Sequence, residues 1–273
     1  MSPLTFKLKV NLTQRLDVSA LTPDRLKDRS ISEIEQISLH LGNRMVSVGS
    51  VFDLSGEDAQ CLEFEGQTGK LDRLGDGMTS GSILVRGNVG SYAGINLKGG
   101  LLKIQGNADA FLGCEMKAGT IELEGSAGDF VGGALPGSRK GMAGGFIVVR
   151  GDVGARAGEQ MRRGVLLIEG NAGMYLGSRM VAGTIGVLGS VGPHIGYAMS
   201  RGTVLLAREP VELSETFSDC GTHTLSFLPL LLSSFRQLET PFSEMVTNFA
   251  RVRRFAGDLC SQGKGEILIA EGH

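Results

Sequence analysis

The chain has 273 residues, with 27 Lys plus Arg against 29 Asp plus Glu, and its net charge of −2 leaves no global field to hold a nucleic acid or an anionic membrane. Glycine, at 42 residues, is about twice its usual share of about 7%, without the triplet period of collagen. A hydrophobic content of 41% is too high for a disordered chain, and the composition excludes a coiled coil.

In chain order, residues 1–77 read as a mixed N-terminal segment with entry strands. The opening MSPLTFKLKV lacks the apolar core of a signal peptide, and no run approaches the ~18 apolar residues of a membrane helix. The expectation is a cytoplasmic protein with reduced thiols and no membrane partner. Residues 5–11 alternate as a strand. Residues 21–41 hold two short helix-like pieces, with Thr22-Pro23 and Ser32 as starts. Residues 46–54 and 61–65 read as strands leading into the next segment.

Residues 78–209 hold thirty of the 42 glycines and repeat with a period of 19. Units begin at Met78, Leu97, Met116, Met142, Met161, Met180 and Met199, and seven inserted residues, 135–141, widen the one irregular gap to 26. The fourth position is always glycine. The sixth (Ile83, Leu102, Ile121, Ile147, Leu166, Ile185, Val204) and the eighth are always β-branched or Leu. Positions two apart share one face of a strand, and glycines at its ends let the chain turn. In the first six units position eleven is Asn, Ser or Asp, position twelve Val or Ala, and position sixteen apolar. Such a unit cannot bury itself, but stacked on copies at roughly 4.8 Å per strand it can. The prediction is an all-β chain forming a right-handed parallel β-helix (β-solenoid) of 19-residue coils, with the methionines as an internal ladder. A glycine-rich sandwich would need no fixed period.

Residues 210–273 read as a C-terminal cap. Thr240-Pro241 starts a helix carrying Phe242, Met245, Val246 and Phe249 at helical spacing, with Gly257 as its stop. The run LSFLPLLL at 225–232 is too short to span a membrane and fits either a buried cap or a subunit interface.

Catalytic motifs are not evident. There is no H-E-x-x-H, P-loop or G-x-S-x-G, and the strand acids Glu122, Glu124 and Glu169 form no obvious pair of the kind a solenoid glycosidase or lyase needs. Cys61, Cys114, Cys220 and Cys260 lack metal-ligand spacing, and so do His40, His194, His223 and His273. His194 falls in a column with Tyr92, Phe111, Phe130 and Tyr175, which suits a packed or surface ring better than a ligand. Asp109 marks a turn. The candidate site is a cationic stripe: Arg139 and Lys140 in the insertion, then Arg162, Arg163, Arg179 and Arg201, with Arg156 nearby. It could receive partner carboxylates or an anionic carrier.

The repeat resembles the glycine-rich β-helix of the large glutamate synthase subunit. The flanks narrow the resemblance. Ser30-Ile31-Ser32-Glu33-Ile34, Leu41-Gly42-Asn43 and residues 48–56, together with Phe255-Ala256-Gly257-Asp258-Leu259 and residues 263–268, are similar to the C subunit of formylmethanofuran dehydrogenase. The resemblance implies a non-catalytic subunit of a larger enzyme, without an active site or cofactor of its own. Its partners would be an amidohydrolase-like, a formyltransferase-like and a further subunit, with a methanofuran-like carrier and a metal held on those partners. Archaeal members serve a tungsten or molybdenum enzyme that makes formylmethanofuran from CO2. Bacterial members serve a formyltransferase/hydrolase complex that passes a formyl group from formyl-tetrahydromethanopterin to formate, and overall similarity favours this branch. A glutamate-synthase-like coupling domain is the third reading, against which the flanks argue.

Overall fold

The computed structural model describes residues 2–271. In chain order the elements are β1 (Pro3–Leu8), β2 (Leu16–Asp17), α1 (Pro23–Leu26), α2 (Ile31–Glu35), β3 (Ser38–Leu41), β4 (Arg44–Ser47), α3 (Val48–Val51), β5 (Phe52–Ser55), β6 (Asp58–Glu65) and β7 (Leu71–Asp72). The repeat contributes β8 (Ser82–Arg86), β9 (Lys98–Ile104), β10 (Ala118–Leu123), β11 (Ala143–Val149), β12 (Arg163–Ile168), β13 (Thr184–Val187) and β14 (Arg201–Leu206). The chain ends with β15 (Ser218–His223), α4 (Phe227–Ser234), β16 (Val252–Gly257) and β17 (Lys264–Ala270). The fold is mostly β and centres on one large, mostly parallel sheet.

The 19-residue spacing is the register of that sheet. Ile83 pairs with Leu102, Leu102 with Ile121, Leu166 with Ile185, and Ile185 with Val204, all in parallel. Ile121 pairs with Ile147 across the longer gap, so the insertion loops out without shifting the register. A second line of parallel bridges joins position twelve of successive units, from Val89 and Ala108 to Ala172 and Val191. Positions one, six, eight, twelve and sixteen meet in one buried cluster, in which all seven unit-starting residues from Met78 to Met199 are fully buried. Side chains at position eleven tie the turns together: Asn88 Oδ1 accepts from Asn107 N at 2.8 Å, and Asn107 Oδ1 from Ser126 N at 2.8 Å.

Glycine at position four has a steric cause. At Gly100, φ is +78°, and a Cβ would lie 2.5 Å from the Gly81 carbonyl oxygen of the preceding unit. Positions fifteen and nineteen adopt the same left-handed region without glycine, at Tyr92 (φ 63°), Phe111 (φ 68°), Phe130 (φ 63°) and Arg179 (φ 53°), among others. Ring stacking offsets part of that strain, since Tyr92–Phe111 and Phe111–Phe130 each stack with centroids 4.9 Å apart.

The stack runs past the repeat at both ends. On the N-terminal side, β6 pairs with β8 and β1 with β6 in parallel, and β5 closes the edge antiparallel to β1. On the C-terminal side, β17 adds a parallel strand to β14, with Val204 opposite Ile267, and β16 and β15 follow antiparallel. The edges are blunted by the four-residue length of β5 and by the register irregularity between Asp219 and Thr222 in β15, which limits edge-to-edge association.

Several local expectations are corrected. The second N-terminal helix starts from Ser30 rather than Ser32, because Ser30 and Glu33 form a reciprocal capping box. The strand expected over 46–54 is broken by α3, which buries Val48 and Val51 on one face at i, i+3 spacing. The helix expected from Thr240-Pro241 is a single 3-10 turn, Pro241–Glu244, and Gly257 ends a strand instead of stopping a helix. The C-terminal helix is α4, which begins inside the apolar run at 225–232 and ends at Ser234. With the turns that follow, it joins a second core with Val148, Leu167, Leu205 and Leu268 on the outer face of the sheet. Position seven, polar at Lys103 and Glu122, turns apolar from Val148 onward because this segment covers it there.

Candidate partner surface

The cationic stripe lies where each unit passes from its buried first residue into its strand. Arg163 and Arg201 occupy the third position of their units, each at the start of a strand, with Ala182 between them in the column. Lys264 continues the column, paired in register with Arg201. Two strand spacings separate Arg163 from Arg201, about 10 Å. Arg162, Arg163 and Arg201 line one cavity of about 390 Å³ floored by Ala143 and Ala182. Arg162 Nη2 donates to the Arg139 carbonyl oxygen at 3.2 Å, which ties the insertion to this rim, while its Nε is buried without a hydrogen-bond partner.

Among the described residues, Arg139, Lys140, Arg162, Arg163, Arg201 and Lys264 have no ion-pair partner. Several cations elsewhere on the sheet are paired, although among the described residues exposed Lys98 and Lys117 are not. Lys103 lies 3.3 Å from Glu122 and 3.6 Å from Glu124, and Arg150 lies 2.8 Å from Glu124 and 3.6 Å from Glu169. The hydrogen bond to Glu122 raises the Lys103 pKa above its ordinary value, against the effect of burial. The strand acids of the sequence are thus cross-strand ion-pair partners. Asp109 likewise accepts from Arg15 Nη2 at 2.6 Å, and this bond heads the causes that raise the Arg15 pKa.

Arg179 separates from the other candidates. Its Nε donates to Glu159 Oε1 at 2.6 Å and its Nη2 pairs with the same oxygen. Arg156 Nη1 reaches Glu159 Oε2 at 3.4 Å while its guanidinium lies 4.6 Å from the Tyr175 ring centroid. Glu159, 1% exposed, is a residue that sequence reasoning misses, although a signal for it exists. Position eighteen is buried at Ile95, Cys114 and Ser178, though Tyr197 in the last complete unit is exposed, so a carboxylate buried in that column needs cations beside it. Lys264 escapes the sequence reading because its strand, although it keeps the position-four glycine (Gly265 opposite Gly202), does not follow at the 19-residue spacing.

The remaining candidates are ordinary. His194 is exposed and tilts against Tyr175 at 4.7 Å. All four cysteines are free, and burial pushes the Cys114 thiol pKa well up. His273 lies outside the described residues. Among the described residues no three His, Cys, Asp or Glu side chains cluster as metal ligands, and no helix is long and apolar enough to cross a membrane.

The fold and this surface define a protein of stacked glycine-rich 19-residue units, most of whose strands run parallel in one sheet. No family model matches the chain. It is 38% identical over 84 residues to the C subunit of tungsten-containing formylmethanofuran dehydrogenase 2 of Methanothermobacter wolfeii, covering 29% of this chain and 31% of that one. It is 37% identical over 86 residues to the C subunit of the formyltransferase/hydrolase complex of Methylorubrum extorquens, 32% of each chain. These alignments span about a third of the length of the curated relatives. A chain in the crystal structure of the formyltransferase/hydrolase complex from Methylorubrum extorquens in complex with methylofuran matches along almost its whole length. Its TM-score is 0.90 and its identity 35%, with 98% of this chain and 99% of that one covered. The chain belongs to the family of formylmethanofuran dehydrogenase C subunits, which takes in the C subunit of the formyltransferase/hydrolase complex.

Proposed function

We propose that this chain is the scaffold subunit of a formyltransferase/hydrolase complex of the bacterial kind. The observation that carries the reading is the likeness over 98% of the chain, flanks included, to a chain of the Methylorubrum extorquens complex. The stack is read as a right-handed parallel β-helix, the hand that parallel crossovers take almost without exception. Residues 1–77 and 210–273 flank the 78–209 repeat as caps continuous with it. A rigid rod of this kind holds two active-site partners, one formyltransferase-like and one amidohydrolase-like, at a fixed separation. A formyl group on a tethered furan-type carrier then meets the second site at high effective concentration. The chain supplies no active site and binds no cofactor of its own; the metal and the carrier's reacting end belong to the partners, and the assembly is cytoplasmic.

The cationic column suits contact with an acidic partner surface or an acidic tail of the carrier. Arg163, Arg201 and Lys264 line up along the stack axis, and the like charges of Arg163 and Arg201, about 10 Å apart, repel by roughly 0.4 kcal/mol in water, a cost that an anion lying along the column removes.

Purification of the native assembly with mass-spectrometric identification of its subunits tests the reading. Formyltransferase-like and amidohydrolase-like chains are expected. A tungsten or molybdenum subunit would instead place the chain with the archaeal enzyme, glutamine-dependent partners would favour a glutamate-synthase-like coupling role, and formyl transfer by the isolated chain would overturn the scaffold reading.

A further inference from the structure

The insertion at 135–141 coincides with a break in the ring column at position fifteen. Phe130 stacks on Phe111, but the next member of the column is Arg156, whose guanidinium lies over Tyr175 on the far side. Among the described residues no ring or guanidinium continues the stack from Phe130. The insertion enters here. Leu135, Pro136 and Arg139 wall a cavity of about 360 Å³ whose other sides include Phe130, Glu159 and Arg179.

Glu159 is the second irregularity at this place. Its Oε1 accepts from Arg179 Nε and Nη2, and its Oε2 from Ser178 Oγ and from Arg156 Nη1. Both oxygens are therefore engaged, and the carboxylate is not free for a ligand. Its effect is to fix the Arg179 guanidinium at the cavity wall, where charge-assisted bonds hold it in one orientation. Arg139 adds a cation with no ion-pair partner among the described residues. The lining charges are Arg139 and Arg179 against the spent Glu159. Glu115, which accepts from Leu135 N at 3.4 Å, is the acid on the adjoining unit. The cavity thus pairs an apolar wall, with one ring on it, with two guanidiniums.

We propose that this cavity binds a small ring-bearing organic acid. The ring lies along Phe130, Leu135 and Pro136, and the acid group meets Arg139 and Arg179. A volume of about 360 Å³ is near the lower end of the ~300–1,000 Å³ of ligand sites and limits the occupant to one or two rings. The proposal is independent of the formyl-transfer reading and concerns a cavity other than the one between Arg162, Arg163 and Arg201.

Calorimetric titration of the full chain with benzoate, 4-hydroxybenzoate and 1-naphthoate tests it, with 1-naphthamide as the uncharged twin. At least one acid is expected to bind saturably at one site per chain, and the amide at least tenfold more weakly than the naphthoate. Arg139→Gln, at an exposed side chain, is expected to weaken binding at least tenfold with an unchanged unfolding midpoint. Deletion of residues 135–141, which restores the 19-residue period, is expected to abolish binding. Absence of saturable binding by all three acids, equal affinity for naphthoate and naphthamide, or full affinity in Arg139→Gln would each overturn the proposal.

Discussion

Gly186 lies directly against Phe242: a Cβ at position 186 would come 2.6 Å from Cε1 of the ring. Gly186 is the position-seven residue of β13, between Leu167 and Leu205 in the same column, so the outer face of the sheet is notched where the C-terminal segment inserts the Phe242 ring. Phe242→Ala should therefore destabilise the chain by about 3–5 kcal/mol, as for a fully buried aromatic. Gly186→Val should cost about 1–3 kcal/mol by overpacking. Urea unfolding checks both. A Gly186→Val midpoint equal to that of the parent would mean the segment is not seated in the notch.

Gly164 and Gly137 separate two roles of glycine. At Gly164, φ is +93°, and a Cβ would lie 2.7 Å from Met142 Cε and 2.9 Å from the Gly145 carbonyl oxygen. At Gly137, φ is +84° with open space around it. Alanine at 137 should cost only backbone strain, about 1 kcal/mol, whereas alanine at 164 should cost about 1–3 kcal/mol more. Equal losses in thermal or urea unfolding would refute close stacking of the units.

Asp258 links the last unit to the terminal strands and should make the fold acid-sensitive. Burial alone would raise its pKa, but the backbone N–H groups of Cys260 and Ala198 and the Thr216 hydroxyl outweigh that and hold it below the ordinary carboxylate range. A lowered folded pKa means that the unfolded chain takes up the proton first. The contribution is thus fully present above about pH 4 and is lost as pH falls through the lower folded value. Asp258→Asn should flatten the stability-against-pH curve below about pH 4, measured by urea midpoints at several pH values. An unaltered slope would count against this assignment.

Charge reversal tests the cationic column apart from the fold. Arg163→Glu with Arg201→Glu, at exposed and unpaired side chains, should leave the unfolding midpoint within about 0.5 kcal/mol and weaken assembly at least tenfold at low salt, less at high salt. Sedimentation of the assembled complex at two ionic strengths measures it. Arg179→Glu is a poorer test, because it sets a second carboxylate beside buried Glu159 and should cost stability directly, by about 3–5 kcal/mol. Salt-independent assembly of the double variant at parental affinity would remove the column from the interface.

The candidate site is legible in the sequence only in part. The columns place Arg163 and Arg201 above one another before any coordinates, since a parallel register transmits sequence spacing directly into space. The same logic does not show that Glu159 holds Arg179, because Glu159 reads as an ordinary turn residue until its burial is known. The helical spacing of Phe242, Met245, Val246 and Phe249 misleads for a related reason. Those side chains face the sheet, and contact with Val148, Leu167 and Leu205 overrides the local preference for a continuous helix.

The amino-acid order by itself determined the stack: the glycines that open each turn, the apolar pairs at positions six and eight, and the family to which the flanks point. Those features act between residues one unit apart, and their physical cause, backbone pairing over a buried column, repeats identically in every unit. Only the tertiary structure decided where the 225–252 stretch lies, that β17 extends the sheet, and that the buried carboxylate of Glu159 claims Arg179 while leaving Arg163 and Arg201 free. Each of these depends on burial between groups outside the repeat's own spacing, and burial is a property of the assembled fold rather than of any local pattern.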